Sequence, residues 1–261
     1  MKALILSINS DIGEAIAEHL SKDGYEVFGT YKNNKPKIKV AEDNLFRFDI
    51  KDFDSSRYKF WLKSIGEWDL FISCVGTQKP VGKFVDVNIN EWVEAVAKNS
   101  SYQLAALINA IKERDSKNHA DVIFFAGGGT NSANPYYSSY TLGKISLIKA
   151  VELLSNEIEF MKFTILGPGW VKTKIHEETI SAKEKAGENY KKTLDMISNP
   201  NKFNPMEKVV EDIMQIVSLP KKLVSGRNFS SVHDDLSIDN LEKLNKLDID
   251  FYKLRRKLNN Q

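Results

Sequence analysis

The chain has 261 residues, 42% of them apolar, and carries 37 basic against 35 acidic side chains for a net charge of +2. That length and apolar content suffice for one large α/β domain, and interspersed charges of nearly zero sum give no electrostatic case for a nucleic-acid partner. The single cysteine, Cys74, excludes an internal disulfide and a cysteine-built zinc cluster, and His19, His119 and His233 lack any mutual spacing for a metal, so no metal is expected. The apolar run in M-K-A-L-I-L-S is too short for a signal peptide or a membrane span; a cytoplasmic setting without a membrane partner is the expectation.

In chain order, residues 2–6 form a strand-like apolar run, and residues 12–20 place Ile12, Ala15, Ile16, His19 and Leu20 at helical spacing. Gly24 ends that helix and residues 26–31 read as a second strand, followed by a basic loop at 32–39. A third strand covers 45–50, with Asp49 at its end, and a helix covers 53–65. Residues 69–74 are a fourth strand stopped by Gly76, and 90–114 one long amphipathic helix. A fifth strand starts at Asp121, three glycines (127–129) and a polar loop follow, and a helix opens near Tyr136. Residues 163–166 are a sixth strand broken by Gly167-Pro168-Gly169, residues 176–204 are polar and helix-biased, 205–217 are an amphipathic helix and 228–232 a last strand. Such alternation specifies an α/β fold, a doubly wound parallel sheet with right-handed crossovers and helices on both faces. Ligands in such sheets lie beyond the carboxyl ends of the strands, so the chemistry is sought in the strand-to-helix loops.

Two of these loops carry chemistry. In Ser7-Ile8-Asn9-Ser10-Asp11-Ile12-Gly13 a strand feeds a helix through small polar residues; the helix N-terminus favours a phosphate, although an ordinary turn capped by Ser10 or Asp11 fits equally. On the helix after the glycine loop, Tyr140 and Lys144 are four residues apart and share a face. An adjacent ammonium favours the phenolate, so Tyr140 is expected to exchange a proton near neutral pH. The same spacing at Tyr31 and Lys35 falls in a loop and is given no role; only Tyr140 follows a strand and a glycine turn.

Together these residues resemble the short-chain dehydrogenase/reductase family over roughly residues 1–235. Its glycine loop falls on residues 6–13, its adenine-contacting Asp on Asp49 beside Ile50, its N-N-A-G on Ser73-Cys74-Val75-Gly76, and its helix asparagine on Asn99. Its Tyr and Lys fall on Tyr140 and Lys144, and its P-G motif with a downstream Thr on Pro168, Gly169 and Thr173. The resemblance implies a Rossmann-type domain over 1–236, with a substrate segment at 171–204, and reversible hydride transfer between a nicotinamide and a small carbonyl or alcohol substrate. In that scheme Tyr140 is the proton donor, Lys144 holds the nicotinamide ribose, Asn99 anchors a relay water, and Val171 and Thr173 meet the carboxamide and phosphates.

The departures from the family pattern are specific. Ser7 and Asp11 replace loop glycines, restricting the backbone and, at Asp11, adding a negative charge. Counting back thirteen residues from Tyr140, the family's serine falls on Gly127, or on Gly128 with a one-residue loop difference; neither has a hydroxyl. Thr130 is the favoured substitute donor, with Ser132 or a nest of backbone N–H groups at 127–129 as alternatives. The second strand ends in Gly29-Thr30-Tyr31-Lys32 without an acid, so NADP(H) is favoured over NAD(H), with Thr30 and Lys32 receiving the 2′-phosphate. Lys172 and Lys174 suggest an anionic substrate such as a phosphorylated or nucleotide-linked sugar. Residues 237–261 form a charged tail with Leu241, Leu244, Leu247, Phe251, Leu254 and Leu258 at amphipathic spacing, to pack on the domain or on a partner chain, and Arg255-Arg256-Lys257 is too short a basic run for a membrane or RNA. By resemblance, the helices carrying Asn99 and Tyr140 pair subunits, so a homodimer or homotetramer is expected. A non-catalytic NADP(H)-binding sensor or scaffold and a sugar epimerase or dehydratase are the rival readings.

Overall fold

Strands covered on both faces need apolar side chains at every position, and the short apolar runs of this chain are consumed in that way. In the computed structural model, which describes residues 1–114 and 116–256, seven strands form one parallel sheet: β1 (Lys2–Leu6), β2 (Glu26–Tyr31), β3 (Leu45–Arg47), β4 (Leu70–Ser73), β5 (Ala120–Phe125), β6 (Met161–Gly167) and β7 (Arg227–Ser230). Their order is β3-β2-β1-β4-β5-β6-β7. Helices α1 (Asp11–Lys22), α2 (Ser56–Ile65), α3 (Ile89–Asn99), α4 (Ser101–Lys112) and α5 (Ser138–Glu157) are followed by α6 (Ile175–Ala182), α7 (Glu188–Ser198), α8 (Met206–Ser218), α9 (Lys221–Val224) and α10 (Ile238–Leu247). The expected doubly wound α/β architecture is the one that forms.

The period of two along each strand divides the core. Ala3 and Ile5 of β1 join Ile16 and Leu20 of α1 and Val209 and Ile213 of α8 on one face. Leu4 and Leu6 join Leu62 of α2, Leu107 of α4 and Leu147 of α5 on the other. Each of the Leu, Ile and Val side chains contributes about 2 kcal/mol on burial. Because β1 pairs with β2 on one side and β4 on the other, the loops leaving β1 and β4 diverge and open the crevice in which ligands of this architecture lie.

Three expectations are corrected. The long helix expected over 90–114 is two helices, broken at Ser100, whose backbone (φ −145°, ψ −88°) leaves the helical region. There the Ser100 hydroxyl donates to Val96 O at 2.6 Å, and Gln103 Nε2 satisfies Lys98 O at 2.9 Å, so the carbonyls freed by the break find partners. The third strand stops at Arg47, because Asp49 turns its carboxylate onto Lys51 N at 3.3 Å and caps a short 3₁₀ turn at Ile50–Asp52. The tail helix ends at Leu247 rather than continuing; Leu241 and Phe251 are buried in the α1/α8 core while Leu247 is exposed. The Arg227 guanidinium lies 3.7 Å over the Phe251 ring and clamps this segment to the sheet. Lys257 and Leu258 lie outside the described residues. Among the described residues no helix is long and apolar enough to cross a membrane.

Candidate active site

The turn after β1 keeps a glycine-like shape without its glycines. Ser7 sits at φ +59°, the left-handed region, at a cost of about 1 kcal/mol or more for a residue with a Cβ. Its N–H donates to Thr30 Oγ1 at 3.1 Å, which uses the buried threonine hydroxyl as a prop beneath the turn rather than leaving it at the crevice mouth where a 2′-phosphate was expected. Ser10 caps α1, accepting from Gly13 N at 3.0 Å. Gly13 has no freedom to be anything else: a Cβ there would stand 2.7 Å from Ser7 O and 2.8 Å from Ile8 O. Asn9 is tied to Asn34 O at 2.9 Å, Asp11 starts α1 and Ile12 packs on the core. Beside this turn Lys32 Nζ pairs with Asp49 Oδ2 at 2.6 Å, and although burial opposes it, this ammonium holds the Asp49 carboxyl below its ordinary value. Ile50 is buried behind the pair.

Lys144 and Asn99 come together at the end of β4, and Tyr140, one helical turn before Lys144 on α5, lies over the turn after β5. Ser73 is buried and bonded to Gln103, and Cys74, Val75 and Gly76 carry the chain past them. Lys144 is 3% exposed and donates to Val75 O at 3.2 Å. A Cβ on Gly76 would lie 3.8 Å from Asn99 Oδ1 and 3.8 Å from Lys144 Nζ, so this glycine marks the centre of the constellation. Asn99 is fully buried, and its amide is spent on protein: Nδ2 donates to Thr77 O (2.8 Å) and Ala95 O (3.0 Å), while Oδ1 accepts from Thr77 N (3.1 Å). Asn99 thus holds the loop after β4 and keeps one Oδ1 lone pair unspent. Tyr140 lies against Gly127 and joins a satellite apolar cluster of Val81, Tyr136, Tyr137, Ala182, Ala186 and Tyr190. Thr130 is half-buried in the loop beyond, and its hydroxyl makes no hydrogen bond among the described residues.

The expected acidification of Tyr140 is reversed. Burial, with the Glu178 carboxylate adding to it, pushes the phenol up to about 12. Burial also brings Lys144 down to about 8, so the amine is still mostly protonated at neutral pH and is half-ionised near 8. Its nitrogen is 6.0 Å from the tyrosine ring centre, too far to outweigh desolvation.

Past β6, Pro168 O accepts from Asn204 Nδ2 at 2.8 Å, and Gly169 takes φ +73° where a Cβ would strike Val232 at 2.4 Å. Val171 is buried and its carbonyl accepts from His176 Nε2 at 2.8 Å; Thr173 is half-buried at the approach to α6. Lys174, expected at the substrate mouth, instead pairs with Asp11 at 3.4 Å, while Lys172 remains exposed. The residue that sequence reasoning missed is Glu178. Its carboxylate accepts from Thr77 Oγ1 (3.1 Å), Gln78 N (2.5 Å) and Lys79 N (3.2 Å), clasping α6 to the loop that Asn99 also holds. Thr179 adds a bond to Gln78 Oε1 at 2.8 Å and another with the Tyr137 hydroxyl at 2.8 Å. A contact spanning a hundred residues leaves no local signal.

Comparison with known proteins agrees with this geometry. A family model described as enoyl-(acyl carrier protein) reductase matches residues 7–211. A 3-oxoacyl-[acyl-carrier-protein] reductase from Buchnera aphidicola subsp. Acyrthosiphon pisum is 25% identical over 86% of this chain and 92% of its own. A short-chain dehydrogenase/reductase from Saccharomyces cerevisiae superposes with a TM-score of 0.75 at 19% identity, covering 90% of this chain and 98% of that one. An actinorhodin polyketide ketoreductase with NADPH superposes with a TM-score of 0.73 at 15% identity, covering 88% and 94%. The chain belongs to the short-chain dehydrogenase/reductase family and is an oxidoreductase of that class.

Proposed function

We propose that this chain uses NADP(H) to reduce a neutral carbonyl compound, or to oxidise the matching alcohol. One observation carries the reading: a buried ammonium and a buried amide, from Lys144 and Asn99, meet beside Gly76, and the Tyr140 phenol lies one helical turn from Lys144, with its ring centre 6.0 Å from the ammonium. The surroundings fit a dinucleotide. Ser7 holds the positive φ of a tight phosphate turn, Gly13 leaves its cradle unfilled, and the first amides of α1 have no intrahelical acceptor. Lys144 spends one of its three donors on Val75 O, leaving two for ribose hydroxyls. Lys32 and Arg47, whose Nε donates to Lys32 O at 3.2 Å, put two cations beside the ribose edge, which favours the 2′-phosphate of NADP(H).

When bound, the reduced nicotinamide supplies a hydride. Tyr140, protonated at neutral pH, gives its proton to the substrate oxygen as negative charge develops there. Lys144 orients the cofactor and recharges the phenol, Asn99 fixes the loop after β4, and α6 closes the crevice against water. The substrate side is walled by Tyr136, Tyr137 and Tyr190 with the Glu178 carboxylate nearby, and Lys174 is committed to Asp11. With Lys174 taken by Asp11, Lys172 is what remains ahead of α6 for a phosphorylated sugar, and the tyrosine-lined wall favours a ketone such as a 3-oxoacyl thioester, the substrate type named for the Buchnera relative. Exposed Ile89 and Val93 on α3 and Leu142 and Leu153 on α5 extend the reading to a homodimer or homotetramer.

NADPH oxidation against a panel of simple ketones, 3-oxoacyl thioesters and phosphorylated ketoses tests the proposal, with turnover expected in the first two groups. NADPH binding without turnover across the panel selects the second reading, a non-catalytic binding protein, which the hydroxyl-free Gly127 and the tight packing of Tyr140 favour.

A further inference from the structure

Asp11 occupies the first position of α1, where the helix field favours an anion and where an incoming phosphate seeks the same field. An uncompensated carboxylate at that point repels a dinucleotide. Here it is compensated from far along the chain. The backbone N–H of Lys174 donates to Asp11 Oδ2 at 2.7 Å, its ammonium lies 3.4 Å from Asp11 Oδ1, and the same ammonium is 3.4 Å from Asn9 O. Backbone and side chain of one residue thus both serve the turn between β1 and α1. Both partners keep contact with solvent, the lysine side chain at 54% exposure and the aspartate at 28%, so the charge of the pair reaches the mouth of the crevice.

Resting on the cofactor reading above, we propose that Lys174 is the charge partner that makes an aspartate-bearing turn competent for the pyrophosphate of a nicotinamide dinucleotide. Its ammonium, held beside Asn9, cancels the Asp11 carboxylate, the service that a bare glycine turn needs from no one. Because Lys174 is also the residue from which α6 starts, cofactor binding at the turn bears directly on the helix that Glu178 clasps over the active site.

Tryptophan-fluorescence titration at low ionic strength tests this without any substrate. Lys174→Ala is expected to weaken NADPH binding about tenfold, the scale of one partly exposed charge contact. Lys174→Arg should bind as the parent does. The paired variant Asp11→Asn/Lys174→Ala should recover to within about threefold of the parent, since both the offending charge and its remedy are gone. Adenosine 2′-monophosphate, which has no pyrophosphate, should bind the parent and Lys174→Ala alike. Unchanged NADPH affinity in Lys174→Ala, no recovery in the paired variant, or an equal loss for adenosine 2′-monophosphate each overturns the assignment. If Lys174→Ala does not fold, Lys174→Gln against Lys174→Arg decides by the same criteria. Failure of the parent to bind either NADPH or NADH sinks the cofactor reading itself, and this inference with it.

Discussion

The Tyr140 hydroxyl rests on the bare backbone of Gly127: a Cβ built there would lie 2.5 Å from the oxygen and 2.6 Å from the adjoining ring carbons. The position to which sequence counting assigns the family's serine has no room for any side chain while the tyrosine keeps this rotamer. Gly127→Ser should therefore not improve the enzyme. The ring must swing away from a packed cluster, at a cost of about 1–3 kcal/mol for overpacking. A lower melting temperature with reduced turnover is expected; a faster enzyme of unchanged stability would show that the site merely lacks its hydroxyl.

Lys144 makes stability depend on alkaline pH in a definite direction. Its folded pKa of about 8 lies below the ordinary 10.5, so between those values the unfolded chain binds more protons and stability rises with pH. Its contribution is complete above 10.5 and is lost as pH falls through about 8. Replacing it with an apolar residue of similar length, Lys144→Met, removes the cost of a buried ammonium. The variant should be more stable than the parent at pH 7, by about 3 kcal/mol at most, and equal to it near pH 10.5. Tyr140 runs the other way, its raised pKa giving stability that is present below 10 and lost through about 12, but both proteins carry it, so it drops out of the difference between them. Denaturant unfolding at both pH values checks the sign; equal stability of the two proteins at pH 7 would show that the ammonium is not desolvated.

Much of this was legible in the chain because periodicity and loop position are local. The apolar runs at 2–6, 121–125 and 163–166 could only be buried strands, and the four-residue step from Tyr140 to Lys144 fixed their shared face. Thr30 could not be placed, since its hydroxyl is captured by Ser7 N from the neighbouring strand's loop. The sign of the tyrosine shift was equally hidden. It depends on burial of the phenol in the folded chain and on Glu178, which α6 brings to the loop after β4.

The Lys32–Asp49 pair gives cofactor choice a handle. At 2.6 Å, with the lysine side chain 54% exposed, the ammonium is held in place yet open to a ligand. Lys32→Ala should weaken NADPH binding about tenfold, as expected for a charged hydrogen bond, and leave NADH unaffected. Equal losses for the two nucleotides would show that Lys32 does not read the 2′-phosphate.

Exposed apolar groups on α3 and α5 predict assembly. Val93 and Leu142 stand 55% and 48% exposed, more than a solvated helix face needs to offer. Val93→Glu combined with Leu142→Glu should shift light-scattering mass toward the monomer while melting temperature and NADPH binding persist. A parent that is already monomeric at working concentration would remove this prediction.

On the proposed reading Glu178 both clasps α6 to the loop after β4 and helps keep Tyr140 protonated, and the two roles separate by pH. Its negative charge adds to burial in keeping Tyr140 protonated, so Glu178→Gln should lower the tyrosine pKa. Reduction needs the phenol, and its alkaline limb should therefore move to lower pH; oxidation needs the phenolate, and its onset should move the same way. Glutamine still accepts from Gln78 N but holds Thr77 and Lys79 less firmly than a carboxylate does, so KM should rise as well. A purely mechanical clasp would raise KM and leave both pH limbs where they were. Measuring kcat and KM across pH in both directions distinguishes the two, and unshifted limbs would confine Glu178 to holding α6.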